Sequence, residues 1–333
     1  MKKLSILLAA ILLACFSLPA GGMAEGGNVK IVTTIFPIYD WVRNIVGENT
    51  GVEMTMLLDS GVDLHNYQPT VQDIVKVSQC DLFIFVGGES DDWTEDVIYS
   101  ARNSGMKSMS LLEILGEDVK MEEIVEGMEH DDDHDHDDDH DDDHDDEHDH
   151  EHEEEADEHV WLSLKNAQKL VKAIAEALGE IDGERAEAYL ANAEAYGERL
   201  LALDARFAEA AQSATYHTLV FGDRFPFRYL VDDYGLDYYA AFSGCSAETE
   251  ASFQTILFLA QKVDELNLPA VLTIEQPKAR IAETIVGATK NKNQKILAMN
   301  SLQSVTSQGV QAGVTYLSAM EENLAVLKDA LSD

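Results

Sequence analysis

Two series of short apolar runs alternating with helical patterns, separated by a long uninterrupted helical stretch, leave few folds open to this chain. From residue 184 to 213 the sequence is rich in Ala, Leu and Glu, and Tyr189, Ala193, Tyr196 and Leu200 recur at helical spacing. About thirty residues rising 1.5 Å each would span roughly 45 Å, more than one small lobe needs. The stretch is therefore expected to be a rigid strut between lobes; two ordinary surface helices with a break are the alternative. A first helical segment over residues 163–179 precedes it.

On the N-terminal side, strands are predicted at residues 30–34, 52–58, 81–86 and 107–111, with helices at 37–46, 70–78 and 92–103 between them. On the C-terminal side, strands at 218–221, 237–242, 270–275 and 295–299 alternate with helices at 226–234, 250–266, 279–289 and 309–331. Alternation of this kind builds α/β lobes around largely parallel sheets. The expected fold class is α/β, with two similar lobes joined by a long rigid helix. The N-terminal lobe would cover 28–162, the linking helices 163–213 and the C-terminal lobe 214–333; 333 residues suffice for two separate cores.

The start of the chain belongs to neither lobe. Lys2 and Lys3 precede an apolar run from Leu4 to Leu13, the pattern of a secretory signal over 1–24 and too short for a convincing membrane span. Lipidation at Cys15 and ordinary cleavage near Gly22-Met23-Ala24 both fit. The mature protein is thus expected to be exported, either periplasmic or lipid-anchored on the outer face of the cytoplasmic membrane. Outside the cytoplasm a disulfide between Cys80 and Cys245 is permitted, with two separate buried thiols as the alternative.

One segment cannot be a fold element. Between Glu129 and Glu158 lie 21 acidic residues and no Lys or Arg, with eight of the eleven histidines of the chain at His130, His134, His136, His140, His144, His148, His150 and His152. Without apolar periodicity this loop cannot offset its own ordering entropy, and it is expected to be disordered without metal. Imidazoles interleaved with carboxylates suit divalent metal capture. The order His144-Asp145-Asp146-Glu147-His148 matches a metalloprotease pattern, but within a low-complexity run nothing shapes a site around it. Removing those 21 acids from the net charge of −40 still leaves −19, which argues against a nucleic-acid partner and for cations.

Setting the tract aside leaves only His65, His159 and His217. His65 lies in Asp63-Leu64-His65-Asn66-Tyr67-Gln68-Pro69, just past the second strand, where open α/β sheets place their ligands. His159 follows the tract in Glu158-His159-Val160-Trp161-Leu162.

Those two segments, with Tyr234-Gly235-Leu236, resemble the zinc/manganese solute-binding proteins of ABC importers, from about Val29 to the C-terminus and including the place of the His-rich insertion. The resemblance implies two α/β lobes bridged by a long helix and one metal in the cleft. It carries the first-lobe ligands onto His65 and His159. Many members have a third histidine about ten residues before the Tyr-Gly-Leu triplet; here the sequence reads Phe221-Gly222-Asp223-Arg224-Phe225-Pro226, and Asp223 is the expected third ligand. His217 is its rival, but it opens the same strand, roughly 20 Å from that end, so both cannot reach one metal. Glu275, after a later strand, fits the family's carboxylate ligand. Glu89 also ends a strand and is a further candidate, and Cys245 in Phe242-Ser243-Gly244-Cys245 would be a soft one.

Two imidazoles and two carboxylates suit zinc, with manganese open to the same set. The function implied is a non-enzymatic, monomeric receptor that hands Zn2+ to a membrane permease. A zinc hydrolase with Glu275 or Glu89 as base is a competing reading, although neither an H-E-x-x-H helix nor a nucleophile elbow is present. A metal buffer working through the tract alone is another.

Overall fold

The computed structural model describes residues 28–49, 51–129, 155–246, 250–275 and 279–332. The leader with Cys15 and the histidines of the tract lie outside the described residues.

The N-terminal half builds strands β1 (Val29–Thr33), β2 (Val52–Met56), β3 (Leu82–Phe85) and β4 (Lys107–Ser110), all parallel, in the order β2-β1-β3-β4. Helices α1 (Phe36–Val46), α2 (Val71–Ser78), α3 (Trp93–Tyr99) and α4 (Leu111–Leu115) connect or follow them. After the linking pair α5 (Leu164–Ile181) and α6 (Ala186–Gln212), the pattern repeats. Strands β5 (Thr218–Arg224), β6 (Asp237–Phe242), β7 (Ala270–Ile274) and β8 (Lys295–Met299) form a second parallel sheet in the order β6-β5-β7-β8. Its helices are α7 (Arg228–Tyr234), α8 (Phe253–Leu266), α9 (Arg280–Ala288), α10 (Ser307–Gln311) and α11 (Tyr316–Ala330). In each sheet the connections leave the first strand to one side and its other neighbour to the opposite side. That reversal opens a crevice beyond the carboxyl ends of the central strands.

The strut is one helix. α6 runs 27 residues, about 40 Å at 1.5 Å per residue, and buries Tyr189, Ala193, Tyr196, Leu200, Leu203 and Phe207 along one stripe. Near its start Asn192 donates to the Ile45 carbonyl of α1 (2.9 Å); near its end Asp204 accepts from the Tyr234 hydroxyl of α7 (2.9 Å). One rigid element thereby touches both lobes.

The lobes are also sewn directly. Trp161, fully buried, donates through Nε1 to the Ser301 carbonyl (2.8 Å), and its own carbonyl accepts from the Tyr316 hydroxyl (2.6 Å). The Tyr316 amide donates to Asp40 of α1 (2.8 Å), and the rings of Trp41 and Tyr316 meet edge-on at 5.2 Å. Buried aromatic contacts of this kind resist wide hinge opening.

Two expectations need correction, and one open alternative is decided. The helix predicted over 309–331 is two, α10 and α11, because Gly313 takes φ +98° between them and Thr315 restarts the helix with a capping box to Ser318. Leu111 is not the end of β4 but the start of α4, capped by the Ser110 hydroxyl on the Glu113 amide. Cys80 and Cys245 are both free: Cys80 is sealed within the first lobe, whereas Cys245 sits at the cleft.

Candidate metal site

His65 is carried on a single tight turn, Leu64–Asn66, that follows β2. Asp63 caps that turn by accepting from the His65 amide (3.1 Å), and Thr70 opens α2 with a capping box to Asp73. The imidazole is fixed at both ends. Its Nδ1 lies 2.9 Å from the Ser90 hydroxyl on the loop after β3, and its Nε2 lies 3.1 Å from Nε2 of His159.

His159 is fully buried at the foot of the Val160–Leu162 turn. Asp157 accepts from its backbone amide (2.8 Å) and meets its Nδ1 at 3.0 Å. Asp157 is itself immobilised: its amide donates to the Lys120 carbonyl (2.8 Å) and its carbonyl accepts from the Tyr229 hydroxyl (2.8 Å). A carboxylate on the outer nitrogen sets the tautomer and raises the basicity of the inner one, the arrangement metal-ligating histidines use.

A neutral imidazole donates through one nitrogen only. Asp157 claims Nδ1 of His159, so Nε2 is the edge left for a metal. The Gln303 side-chain amide bridges Asp63 and that edge, 2.8 Å from both Asp63 oxygens and 2.6 Å from His159 Nε2.

Electrostatics keep the His65 imidazole uncharged. Burial, reinforced by the neighbouring His159, pushes His65 down to about 3, so it stays neutral at any physiological pH. Burial alone would raise Asp63, but the Arg224 guanidinium and the His65 amide outweigh it and hold the carboxyl below its ordinary range. Burial raises Glu158, against two hydrogen bonds from Ser90. Its Oε1 takes the Ser90 amide (2.9 Å), while its Oε2, buried and without a hydrogen bond, stands 3.5 Å from His65 Nδ1.

The second lobe presents a loop rather than the expected strand end. Among the described residues, the grouping of three potential ligands with mutually close atoms is His65, His159 and Cys245, one ligand atom from each lying within 4.8 Å of the others. Cys245 follows β6, and its amide donates to Glu122 (2.9 Å). Burial raises its thiol well above the usual range, helped by Glu122, Asp157 and Glu158. Gly244 packs against His159 so closely that a β-carbon there would come within 3.0 Å of the ring and of the Phe225 carbonyl.

Asp223 is not brought into this group. Its Oδ2 accepts from the Thr273 hydroxyl (2.5 Å) and the Ile274 amide (3.3 Å), and its Oδ1 from the Arg224 amide (2.9 Å). Adjacent strand residues face opposite sides, and the neighbour that reaches the first lobe is Arg224, paired with Asp63 at 2.5 Å. Glu275 lies on the second-lobe wall with its carboxylate on the Ser301 amide (2.7 Å) and hydroxyl (2.5 Å). Burial raises it, and Asp63 adds to the rise. His217 is exposed at the opposite end of β5, and Glu89 is exposed on the cleft wall. The supporting residues Ser90, Asp157, Arg224 and Gln303 carry no motif. Only the position of Asp157, two before a suspected ligand, hinted at its role.

Outside the histidines the cleft widens to about 1050 Å³, and Glu89, Asp92, Glu122, Glu155 and Glu158 line it. A cation approaching His65 passes these carboxylates.

Comparison with known proteins sets the chain beside proteins of zinc uptake. Residues 31–330 match the family described as zinc-uptake complex component A, periplasmic. The chain is 30% identical over 98% of its length to the zinc-binding lipoprotein AdcA of Streptococcus pneumoniae, of which it spans 61%. It is 29% identical to the high-affinity zinc uptake system protein ZnuA of Bacillus subtilis, with 96% of each chain covered. Among solved structures, the Zn(II)-bound ZnuA-like domain of S. pneumoniae AdcA superposes with a TM-score of 0.69 at 26% identity, covering 92% of this chain and 99% of that one.

Proposed function

The chain belongs to the zinc-uptake complex component A family, and on that footing we propose that it is an exported zinc receptor that holds one Zn2+ between its lobes and surrenders it to an ABC permease. The observation that carries this reading is the opposed pair of Nε2 atoms, 3.1 Å apart, with both outer nitrogens already held. Two nitrogens on a tetrahedral zinc at about 2.0 to 2.1 Å stand roughly 3.3 Å apart, so this pair needs little rearrangement. No chemistry on a bound substrate is required of these groups, and the receptor acts without catalysis.

Release follows from the same contacts. Metal seated on the first-lobe histidines displaces Gln303 from His159, and through Gln303 it is linked to Asp63 and the interlobe pair with Arg224. Occupancy thus changes a contact that spans the lobes, which gives a permease two states to tell apart. Because α6 and the Trp161–Tyr316 contacts hold the lobes, the change is local rather than a wide closure. The His/Asp tract would gather cations for the site by the chemistry of its imidazoles and carboxylates. Anchorage through Cys15 fits the same location.

The test is zinc competition with a chromophoric chelator. The wild-type chain is expected to bind one equivalent far more tightly than the rest. His65→Ala should abolish that equivalent and leave only the weaker binding of the tract; an unchanged tight equivalent would point to the tract as the functional site.

A further inference from the structure

We propose that Cys245 is the second lobe's metal ligand, so that the centre is a His65, His159, Cys245 site in which a thiolate selects zinc over manganese. This rests on the receptor reading above and sharpens it.

Three observations converge. First, Cys245 forms with the two histidines the three-residue group whose ligand atoms all lie within 4.8 Å. Zinc bound at about 2.3 Å to sulfur and 2.0 to 2.1 Å to nitrogen places S and N roughly 3.6 Å apart, so loading asks the loop to close by no more than about an ångström. Second, the other second-lobe candidates are committed. Asp223 is held by Thr273 and Ile274 within its own lobe, and both oxygens of Glu275 are held by Ser301. The neighbouring Arg224 turns toward the first lobe but brings a cation, spent on Asp63. Third, the Cys245 loop is built onto the first lobe's ligand: Gly244 is the residue in contact with the His159 ring, where a larger one would collide.

The proton has a destination. Glu122 accepts from the Cys245 amide at 2.9 Å and also faces the thiol. As the S–H bond breaks and the Zn–S bond forms, Glu122 takes the proton and passes it to cleft water. No electrons move, and the metal stays divalent. A sulfur donor favours borderline-soft zinc over hard manganese, a preference that imidazole and carboxylate alone would not impose.

Cobalt(II), which fits tetrahedral zinc sites and is coloured, reads the ligand directly. The tract contains no cysteine, so with Cys15→Ser in the leader a thiolate-to-cobalt charge-transfer band reports on the folded domain alone. With one equivalent of cobalt the wild-type chain should show that band, Cys80→Ser should keep it and Cys245→Ser should lose it. Cys245→Ser should also weaken zinc binding more than about 100-fold, beyond the loss typical of an outer-shell partner. If Cys245→Ser fails to fold, alkylation of the wild-type chain decides: bound zinc should protect Cys245 from iodoacetamide. Absence of the band in wild type, zinc affinity unchanged in Cys245→Ser, or alkylation of Cys245 indifferent to zinc would each overturn the proposal. Loss of the tight equivalent in His65→Ala alongside any of these would show that the receptor reading survives without it.

Discussion

His65 and His159, 94 residues apart in sequence, point their Nε2 atoms at each other across 3.1 Å, while Ser90 and Asp157 hold the opposite edges of the two rings. Two buried imidazoles this close repel any shared positive charge, and the burial that keeps His65 neutral also keeps its lone pair available. How firmly the two rings are held decides how tightly a cation can bind between them.

Asp157 acts only through His159. Replacing it with Asn keeps the shape but removes the charge that fixes the tautomer, and zinc affinity should fall by about 10- to 100-fold with the stoichiometry unchanged. Chelator competition measures it; an unchanged affinity would mean that His159 is oriented by packing alone.

Gly244→Ala tests the seat of the Cys245 loop. A methyl group at 3.0 Å from His159 and the Phe225 carbonyl forces the loop or the His159 ring to shift by a few tenths of an ångström. Zinc affinity should drop by about tenfold or more, in the range seen when ligand support is disturbed. The metal-free melting temperature, measured alongside, should change little, because the loop lies at the edge of the cleft.

Arg224 and Asp63 form a mostly buried ion pair between the lobes. Arg224→Ala leaves the Asp63 carboxylate uncompensated and should destabilise the metal-free protein by about 2 to 4 kcal/mol, read by urea denaturation. Replacing both by uncharged residues should recover much of that loss, and a double-mutant cycle separates the pair from the cost of the orphaned charge.

Asp91 is a second buried acid, with Oδ2 accepting from the Val86 and Gly87 amides (2.8 and 3.1 Å) and Oδ1 without a partner. Burial raises it to about 7, from 3.8 for a free side chain. An acid whose folded pKa is raised contributes stability that is full below the unfolded pKa and is lost as pH rises through the folded value. The fold should therefore lose stability between about pH 4 and 7 on account of this group. Asp91→Asn, which keeps the acceptor and cannot ionise, should gain on wild type by about 2 to 4 °C in Tm between pH 5 and pH 8 without zinc. A constant difference across that range would remove Asp91 from the pH response.

Much of the fold is legible in the sequence because it rests on periodicity. The stripe of Tyr189, Ala193, Tyr196 and Leu200 announces α6, and the alternating apolar runs announce both parallel sheets. Gly313 could have signalled the break between α10 and α11, but helical spacing continues across it and masks the stop. The first-lobe histidines are readable because so few histidines remain outside the tract. The second lobe is harder. Asp223 and Arg224 are adjacent, so a shift of one residue exchanges the side chain facing the cleft for the one facing β7, and counting back ten from Tyr234 lands on Arg224. Cys245 belongs to a loop with no period, and its approach to His159 depends on a contact at Gly244 that only the folded chain creates.

The most direct test of the zinc centre is a crystal structure of the zinc-loaded protein with anomalous data at the zinc edge. One zinc is expected between the lobes, about 2.0 to 2.1 Å from Nε2 of both His65 and His159 and about 2.3 Å from the Cys245 sulfur, with Gln303 displaced from His159. A cleft without anomalous signal, its two imidazoles still facing each other at 3.1 Å while zinc occupies other positions, would contradict it.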